Sequence, residues 1–442
     1  MKSKYFFLLI MFYFLVAVKS KAQNTLYFMD RLPQSQQYNP ALIPKVNFYL
    51  NLPAIGFEQI ELNNSGFNLG ELLDFTDNLG SSNYNPDEFV NSIGDYNKTT
   101  LESKTNLLSF GFKLKKSGYF SLNLSQRNFI DLTAPPDIVY LLDDFEKISE
   151  RLPIHISGIN LQMNAFSQLS VTWAKSINKK LTIGISPKLI GALGGISTER
   201  LSLDIEEIEP GEYETNFEGK MVVGMPVPIN PSALNENGEL IQDQDILDDD
   251  WYESLSAGDL FQNPGLAIDL GVNYQLDQKW SFSASFLDLG KSKWTKNAYN
   301  LYYDGETTQV DDLKDLKIKI PSKLFVGANY NLSRNWNTSL LYRNVFYESG
   351  NNQSATLSLN GYVGRMLSTS FSYTAGQTFN NLGLGLRLRF LPGTDLYVVT
   401  DNILHAINYK NVQYSAIAFG VNLLFGTQSK NQEIEEPEKI EE

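Results

Sequence analysis

Two histidines, His155 and His405, are the side chains best suited to general base chemistry near neutral pH. They lie in different segments, and Ser157 beside His155 is too common a pairing to indicate a hydrolase, which needs a serine and a histidine in contact. The GxSxG, HExxH and P-loop patterns are missing from the sequence. We therefore expect no enzyme, no catalytic residue and no cofactor.

A cluster of aspartates offers a second kind of chemistry, the binding of a hard cation. Calcium prefers clustered carboxylate oxygens. The register lacks the central glycine of an EF-hand loop, and three of the aspartates are consecutive, so they do not alternate towards one ion. Between a calcium loop and a solvated acidic loop we favour the second, and we expect no metal. The cluster comprises Asp243, Asp245, Asp248, Asp249 and Asp250.

Two arginines, Arg387 and Arg389, alternate with apolar residues in the stretch LGLGLRLRF at 382–390. In a strand, alternate side chains point to opposite faces, so both arginines share one face. If the strand crosses a membrane, each would cost about 2–4 kcal/mol in lipid near the midplane, so that face must line the lumen. The arginines then form an anion site or pair with lumenal acids such as Asp269, and we favour pairing.

The element that must position these residues is a hairpin at 263–290. Its apolar residues recur every second position, and small or polar residues occupy the other face, which is typical of strands. A second copy, GANYNLSRNWNTSLLY from Gly327, aligns without a gap on GVNYQLDQKWSFSASF from Gly271. Repetition indicates similar units added side by side. The apolar positions of the first copy are Leu266, Ile268, Leu270, Val272, Tyr274, Trp280, Phe282, Ala284 and Phe286.

The first 22 residues indicate the compartment. Two lysines, a short apolar run and the segment Ser-Lys-Ala at 20–22 predict a cleaved signal peptide. No later run is long enough for a membrane-spanning helix, so a membrane location would require a closed barrel. A soluble β-sandwich or propeller is the alternative. The net charge of −14 disfavours nucleic acid as a partner, and the absence of cysteine excludes disulfides and a lipid anchor on cysteine.

Connection lengths favour the barrel. Short turns near 115–118, 176–179, 275–279, 331–335 and 365–367 alternate with long connections at 53–105, 129–158, 224–262 and 291–319, as in outer-membrane barrels. We predict an all-β, antiparallel transmembrane barrel over 46–426 with a few short helices. It has 16 strands if the pair near 197–223 spans the membrane, and 14 if that pair extends beyond it. Residues 53–105 and 224–262 are predicted as long loops or a plug.

The segment 23–45 is predicted to be periplasmic or to plug the barrel. In it, Asn39, Pro40 and Ala41 form a bend, because proline fixes its own φ and restricts the residue before it. This motif after a signal peptide ending in Ala-Gln resembles Bacteroidota outer-membrane barrels, including PorP/SprF-like, PorV-like and FadL-type proteins. The stretches at 284–294, 382–390 and 397–407 resemble one branch, a family of unknown function. The resemblance implies a barrel in the outer membrane and carries no catalytic residues.

Two functions follow as hypotheses. The first is a channel or transporter for hydrophobic or small amphipathic molecules, gated by residues 53–105. The second is a platform for a secretion, gliding or surface-attachment apparatus. Outer-membrane lipid would surround either one, and a periplasmic or secretion-apparatus protein would be the partner of the second. The acidic segment 427–442 is predicted to be disordered, either as a solubilising tail or as a docking segment for a basic partner.

Overall fold

A computed structural model shows a closed antiparallel β-barrel. It describes residues 23–52, 59–66, 87, 90–91, 97–142, 149, 151–241, 244–247, 250–254, 256, 258–303, 307–312, 316–376, 380–403 and 414–427. The expected signal peptide at 1–22 and the acidic segment from 428 onwards lie outside these ranges, as does most of 67–96.

The described strands are β1 (Val46–Asn51), β2 (Gln59–Asn64), β3 (Asn97–Leu114), β4 (Gly118–Ala134), β5 (Ile154–Ser176), β6 (Leu181–Glu209), β7 (Glu212–Gly224), β8 (Pro264–Gln275), β9 (Trp280–Trp294), β10 (Ala298–Tyr303), β11 (Thr308–Asp312), β12 (Leu316–Lys319), β13 (Ser322–Asn331), β14 (Trp336–Tyr347), β15 (Gly350–Val363), β16 (Leu367–Gly376), β17 (Asn380–Leu391), β18 (Thr394–Thr400) and β19 (Tyr414–Thr427). A short helix, α1 (Gln23–Tyr27), lies before β1. Short 3-10 helices occur at Pro33–Gln37, Pro136–Leu142, Pro231–Ala233, Trp251–Ser254 and Asp259–Phe261.

The described strands form a ring with fourteen strand positions. Its order is β3, β4, β5, β6, β8, β9, β13, β14, β15, β16, β17, β18 and β19, with a final position shared by β1 and β2. Both β1 and β2 pair with β19 on one side and with β3 on the other, which closes the ring. The predicted all-β barrel is therefore confirmed, at the lower of the two predicted strand counts.

The ring has 14 rather than 16 strand positions because of the second half of β6, residues 195–209. Residues 197–223 do not form two further ring strands, because 195–209 continue β6 beyond its pairing with β8 and pair there with β7. Strand β7 pairs in turn with β10, and β10 pairs with β11. The predicted loop at 53–105 also needs correction, since 59–64 form β2 and 97–105 begin β3. Their partly polar sequences conceal the strands because the ring interior accepts polar side chains.

Connections differ between the two ends of the ring. At one end, called the short-turn end, six hairpins close through residues 115–117, 177–180, 276–279, 332–335, 364–366 and 392–393. Connections at the other end reach the length of 225–263 between β7 and β8. Among the described residues, no helix is long and apolar enough to cross a membrane.

Side chains alternate between an apolar outer surface and a polar interior. In the hairpin of β8 and β9, Leu266 is 71% exposed, whereas Asp269 and Ser285 are only 3% exposed. The same alternation runs through β15, β16 and β17, so the apolar faces point outwards as the sequence predicted. Exposed apolar side chains around the ring include Leu340, Leu357, Leu359, Phe371, Tyr373, Leu382, Leu386, Leu388, Leu396, Val398 and Phe425.

Candidate functional site in the barrel interior

Residues 23–45, which we call the plug, lie inside the ring. The side chains of Leu26, Tyr27 and Leu32 are at most 1% exposed and pack with residues of distant strands, including Phe325 and Val399. The ring of Tyr27 stacks on that of Phe325 with centroids 5.5 Å apart. The plug is therefore a part of the barrel's core rather than an arm outside it.

The first residues of the plug are held by one buried carboxylate. The backbone N–H groups of Asn24 and Thr25 donate to Asp401 at 3.0 and 2.8 Å, and the hydroxyl of Thr25 donates to the same carboxylate at 2.5 Å. Asp401 is fully buried, and Tyr414 also donates to it at 3.4 Å. Hydrogen bonds from Asn24, Thr25 and Tyr414 thus converge on Asp401, which anchors the first described residues of the plug.

The bend at Asn39, Pro40 and Ala41 is buried within the ring. The Oδ1 atom of Asn39 accepts from the backbone N–H of Ala41 at 2.9 Å. Its Nδ2 group lies within donating distance of the Tyr27 hydroxyl and of the carbonyl oxygens of Val272 and Ala284, at 3.0, 3.2 and 3.3 Å. Asn39 thus satisfies the bend's own backbone and links it to β8 and β9.

Inward-facing glycines make room for the plug. Gly184 and Gly271 are paired on β6 and β8, and a Cβ atom on Gly184 would lie 2.2 Å from the carbonyl carbon of Pro40. A Cβ on Gly271 would lie 2.2 Å from Asn39 Oδ1. Two further contacts of this kind occur on β17, where Gly383 faces Thr25 and Gly385 faces Met29. A side chain at Gly184 or Gly271 would therefore press on the backbone of the plug, whereas one at Gly385 would meet the flexible Met29 side chain.

A group of ionised side chains crosses the interior beside the plug. We call it the ion network, and it contains three carboxylates and three cations, all with side chains at most 7% exposed. Because its members lie on six different strands, the network ties opposite walls together. Its members are Glu102, Arg127, Lys188, Asp269, Asp288 and Lys323.

The contacts of the ion network form a chain of alternating charge. Lys323 donates to Glu102 at 2.5 Å, and Glu102 accepts from Arg127 at 2.8 Å. Arg127 donates to Asp288 at 2.9 Å, and Lys188 donates to Asp288 at 2.6 Å and to Asp269 at 2.7 Å. Each buried charge has an opposite partner, which offsets part of the cost of removing it from water.

The predicted interior residues separate into two places. Asp269 belongs to the ion network and pairs with Lys188. Arg387 and Arg389 instead share the buried carboxylate of Asp395 on the neighbouring strand β18, at 2.6 and 2.7 Å. The partner named in our prediction is therefore wrong, because the two arginines lie near the turn at 392–393, next to Asp395 in the β17–β18 pairing.

The contacts of successive residues in strand β9 show the order of these features along the barrel, starting from the short-turn end. A cavity of about 580 Å³ touches Ser281 and Ser283 near the start of the strand. Ser283 then accepts from the Tyr27 hydroxyl, and Ser285 donates to the carbonyl oxygen of Tyr38, both in the plug. Asp288 follows in the ion network. A second cavity, of about 640 Å³, touches residues 288–290. The plug and the ion network therefore lie between two cavities.

The second cavity lies where the pairing between two neighbouring strands of the wall is interrupted. Strand β9 pairs with β13 up to Leu287 and with β12 from Lys291, so residues 288–290 and 320–322 face each other without strand pairing. Asp288 has φ of +59°, which turns the strand, and Pro321 has no N–H to donate. We call this interruption the wall gap.

The lining of the second cavity includes residues from both faces of the wall at the wall gap. On its inner side the second cavity is lined by Phe129 and Tyr347, which are buried and stacked at 5.7 Å. On its outer side it is lined by Leu289, which is 39% exposed, and by Phe346. The cavity is thus bounded by residues from both faces of the same wall, beside the wall gap.

Sequence reasoning missed the ion network and the function of the inward glycines. A signal for the glycines exists, because they alternate with apolar residues in β8 and β17, yet small residues fit either a water-filled or a filled lumen. The partners of Lys188, Arg127 and Lys323 are set by strand order around the ring, which local pattern does not give. Of the five clustered aspartates, Asp245 and Asp250 are described, and the described part of the chain contains no group of three metal-ligating side chains.

Comparison with known proteins gives a family match and distant structural likenesses. The family described as "Family of unknown function (DUF5723)" matches residues 40–401. No curated protein matches the chain. The toluene transporter TbuX of Ralstonia pickettii is similar with a TM-score of 0.42 and 9% identity, over 90% of this chain and 94% of that one.

Two further structures have lower scores. The toluene transporter TodX of Pseudomonas putida gives a TM-score of 0.38 and 9% identity, over 88% of this chain and 91% of that one. The KdgM porin gives 0.25 and 8%, over 62% of this chain and 99% of that one. Because these TM-scores are below 0.5, the proposed function rests on the chain's own residues.

Proposed function

The chain belongs to the family of unknown function DUF5723, and from this premise we propose that it is an outer-membrane channel for small hydrophobic or amphipathic molecules. A closed ring of strands pairs the ring backbone groups with one another outside the wall gap, and such pairing is the requirement for crossing a bilayer. The outward apolar side chains, such as Leu340, Leu357 and Phe371, supply the surface that lipid would cover. The proposed signal peptide at 1–22 would direct the chain to export.

The wall gap is the observation that carries this proposal. The plug and the ion network obstruct the barrel axis, so a water-filled path for polar solutes has little support. The second cavity, in contrast, is bounded by residues from both faces of the wall, and its lining combines apolar with polar side chains. The large apolar ones are Phe129, Leu289, Phe346 and Tyr347, and the polar ones are Asn160, Gln162, Asp288, Lys319, Ser322 and Glu348. A molecule with an apolar body would enter at the long-loop end and leave sideways into the membrane, without passing the plug.

Blocking the wall gap after folding tests the proposal. The chain has no cysteine, so Ser322→Cys provides one reactive thiol beside the gap, and Ser333→Cys provides a matched thiol in a short turn. Both variants would be reconstituted in liposomes and labelled with a bulky thiol reagent. We expect uptake of a small hydrophobic fluorophore to fall on labelling of S322C and to stay unchanged on labelling of S333C. Equal uptake in protein-free liposomes, or loss in both variants, would exclude a path through the gap.

A platform for a secretion, gliding or surface-attachment apparatus is the second proposal, and the PorP/SprF-like resemblance of the N-terminal motif belongs with it. The observation that favours it is the filled interior, since the plug and the ion network occlude the axis. Crosslinked pull-down from outer membranes separates the two proposals. A platform predicts a stoichiometric protein partner and no effect of S322C labelling on its recovery.

A further inference from the structure

The cavity at the short-turn end, which we call the vestibule, is strongly basic. Five lysines line it against a single carboxylate, that of Asp30. Lys45 is paired with Asp30 at 2.7 Å, whereas Lys113, Lys115 and Lys116 are exposed to solvent. The lining also contains asparagine and serine side chains that can hydrogen-bond an extended peptide. The five lysines are Lys45, Lys113, Lys115, Lys116 and Lys175.

The excess of positive charge extends around the whole short-turn end. The six turns there contain seven basic side chains and one acid, Asp277, in a chain whose net charge is −14. Such segregation creates a field that attracts an anionic partner. The seven bases are Lys115, Lys116, Lys179, Lys180, Lys279, Arg334 and Arg365.

The chain carries an anionic segment that starts at this same end. Strand β19 finishes at Thr427, which pairs with Val46, the residue next to Lys45 of the vestibule. Residues 428–442 follow, with six glutamates against two lysines. An extended chain advances about 3.3 Å per residue, so Glu433 can reach about 20 Å from Thr427. This segment therefore starts beside the vestibule, is long enough to extend into it, and carries the opposite charge.

We propose that the vestibule is a binding site for an acidic peptide segment and that residues 428–442 of the same chain occupy it. The glutamates would pair with Lys113, Lys115 and Lys116, and the segment would cover the plug from the short-turn end. An acidic segment of a partner protein could then bind only by displacing the chain's own. This proposal is independent of whether the wall gap conducts.

Carbodiimide crosslinking tests the proposal, because this reagent joins a carboxylate to an amine already in contact with it. The full chain would be purified in uncharged detergent, treated at low and at high salt, and mapped by mass spectrometry. We expect amide links from the glutamates of 433–442 to Lys113, Lys115 or Lys116, and their loss at high salt, where exposed charges are screened. In a mixture of isotopically heavy and light chains, the links should join residues of one label.

Two sets of variants give the controls. K113Q/K115Q/K116Q should lose the links, whereas K291Q/K317Q/K319Q, three exposed lysines at the opposite end, should keep them. If the vestibule variant does not fold, the thiol of Ser281→Cys in the vestibule provides a second readout with only one ring residue altered. Its labelling should accelerate when the six tail glutamates become glutamines, while that of S322C should not change. Links between chains only, or labelling of S281C that ignores the tail charge, would overturn the proposal.

Discussion

The two halves of the barrel interior are filled in different ways. Towards the short-turn end, the plug brings backbone from elsewhere in the chain onto inward-facing glycines, and its hydrogen bonds to the strands are mostly neutral. Towards the other end, the ion network fills the space with side chains of the strands themselves. Both halves obstruct the axis, but the plug is a separate segment that continues into β1, whereas the ion network consists of side chains on the ring strands.

This difference separates a removable element from a fixed one. Moving the plug replaces many individually weak contacts with contacts to water. The free energy of moving the plug is therefore the sum of many small contributions. Removing one member from a buried charge pair leaves an uncompensated charge, which costs several kcal/mol at a single position. We therefore expect substitutions among buried charges to unfold the barrel and substitutions around the plug to open it.

The largest effect is expected at a second group of buried charges, the pair of Glu61 and Arg343. One Arg343 nitrogen contacts both Glu61 oxygens at 2.8 Å, and each side chain is 1% exposed. Arg343→Met should lower the free energy of unfolding by about 3–5 kcal/mol, because it leaves Glu61 buried without its cation. Urea unfolding followed by heat-modifiable gel mobility would measure the loss.

The double variant sharpens this test. Replacing both partners, as in E61M/R343M, removes the two charges together and should restore most of the stability, since an apolar pair of similar volume is often as stable as a buried ion pair. If the double variant is as unstable as R343M, the loss arises from packing at Arg343 rather than from charge.

The barrel itself could be predicted from the sequence because its cause is local. Alternation in 264–275 and 280–294 assigns each side chain to a face, and the exposed fractions of Leu266 and Asp269 agree with that assignment. Partners across the lumen have no local cause. Lys323 and Glu102 are separated by 221 residues, and they meet because β13 and β3 lie on opposite parts of the ring. The pattern predicts which residues point inwards, and only the closed ring determines which of them meet.

The next largest effect is expected where the plug lies against a glycine. Gly184→Ala places a Cβ 2.2 Å from the Pro40 backbone, which has no flexible end to move away. Overpacking of this kind costs typically 1–3 kcal/mol. The thiol of Ser35→Cys, at a plug position that is 2% exposed, reports opening. Its labelling should become roughly 5- to 150-fold faster, the factor that such energies represent.

A matched glycine controls for the substitution itself. Gly194 lies on the same strand β6, and a Cβ there would meet only the Cβ of Ala165 at 3.8 Å, an ordinary contact. G194A should therefore label at the native rate. A stable, fully folded G184A barrel with native labelling would mean that the plug does not rest on this glycine.

The bend in the plug shows where prediction from sequence ended. Proline geometry predicted a bend at Asn39 and Pro40, and β1 begins at Val46 in the predicted place. Whether that bend lay outside or inside the ring depended on Gly184 and Gly271, which are separated from it by more than one hundred residues. Their small size was visible, but the segment that required it was not.

A smaller effect is expected at the start of the plug. Asp401→Asn keeps the shape of the side chain, but its NH2 group cannot accept, so the hydrogen bond from either Asn24 or Thr25 is lost. The loss of one hydrogen bond costs about 1 kcal/mol. Labelling of S35C should rise about fivefold, with the unfolding free energy of the ring nearly unchanged. Unfolding of the whole barrel in D401N would instead show that Asp401 stabilises the ring as well as the plug.

The smallest effect is expected at Asp30, the plug's partly exposed charge. Burial raises the pKa of Asp30, but Lys45 and the hydrogen bond from Tyr362 outweigh it and hold that pKa below its ordinary value. The docked plug therefore binds fewer protons at Asp30 than the released plug does, so the contact is intact at neutral pH and weakens as the pH falls through the lowered pKa. Because Lys45 is 53% exposed, the contribution is small and salt-sensitive. Labelling of S35C with an acid-tolerant thiol reagent should rise slightly in acid for the native residue and stay flat for D30N. A rise of equal size in D30N would assign the acid response to another carboxylate, with Asp401 the next to substitute.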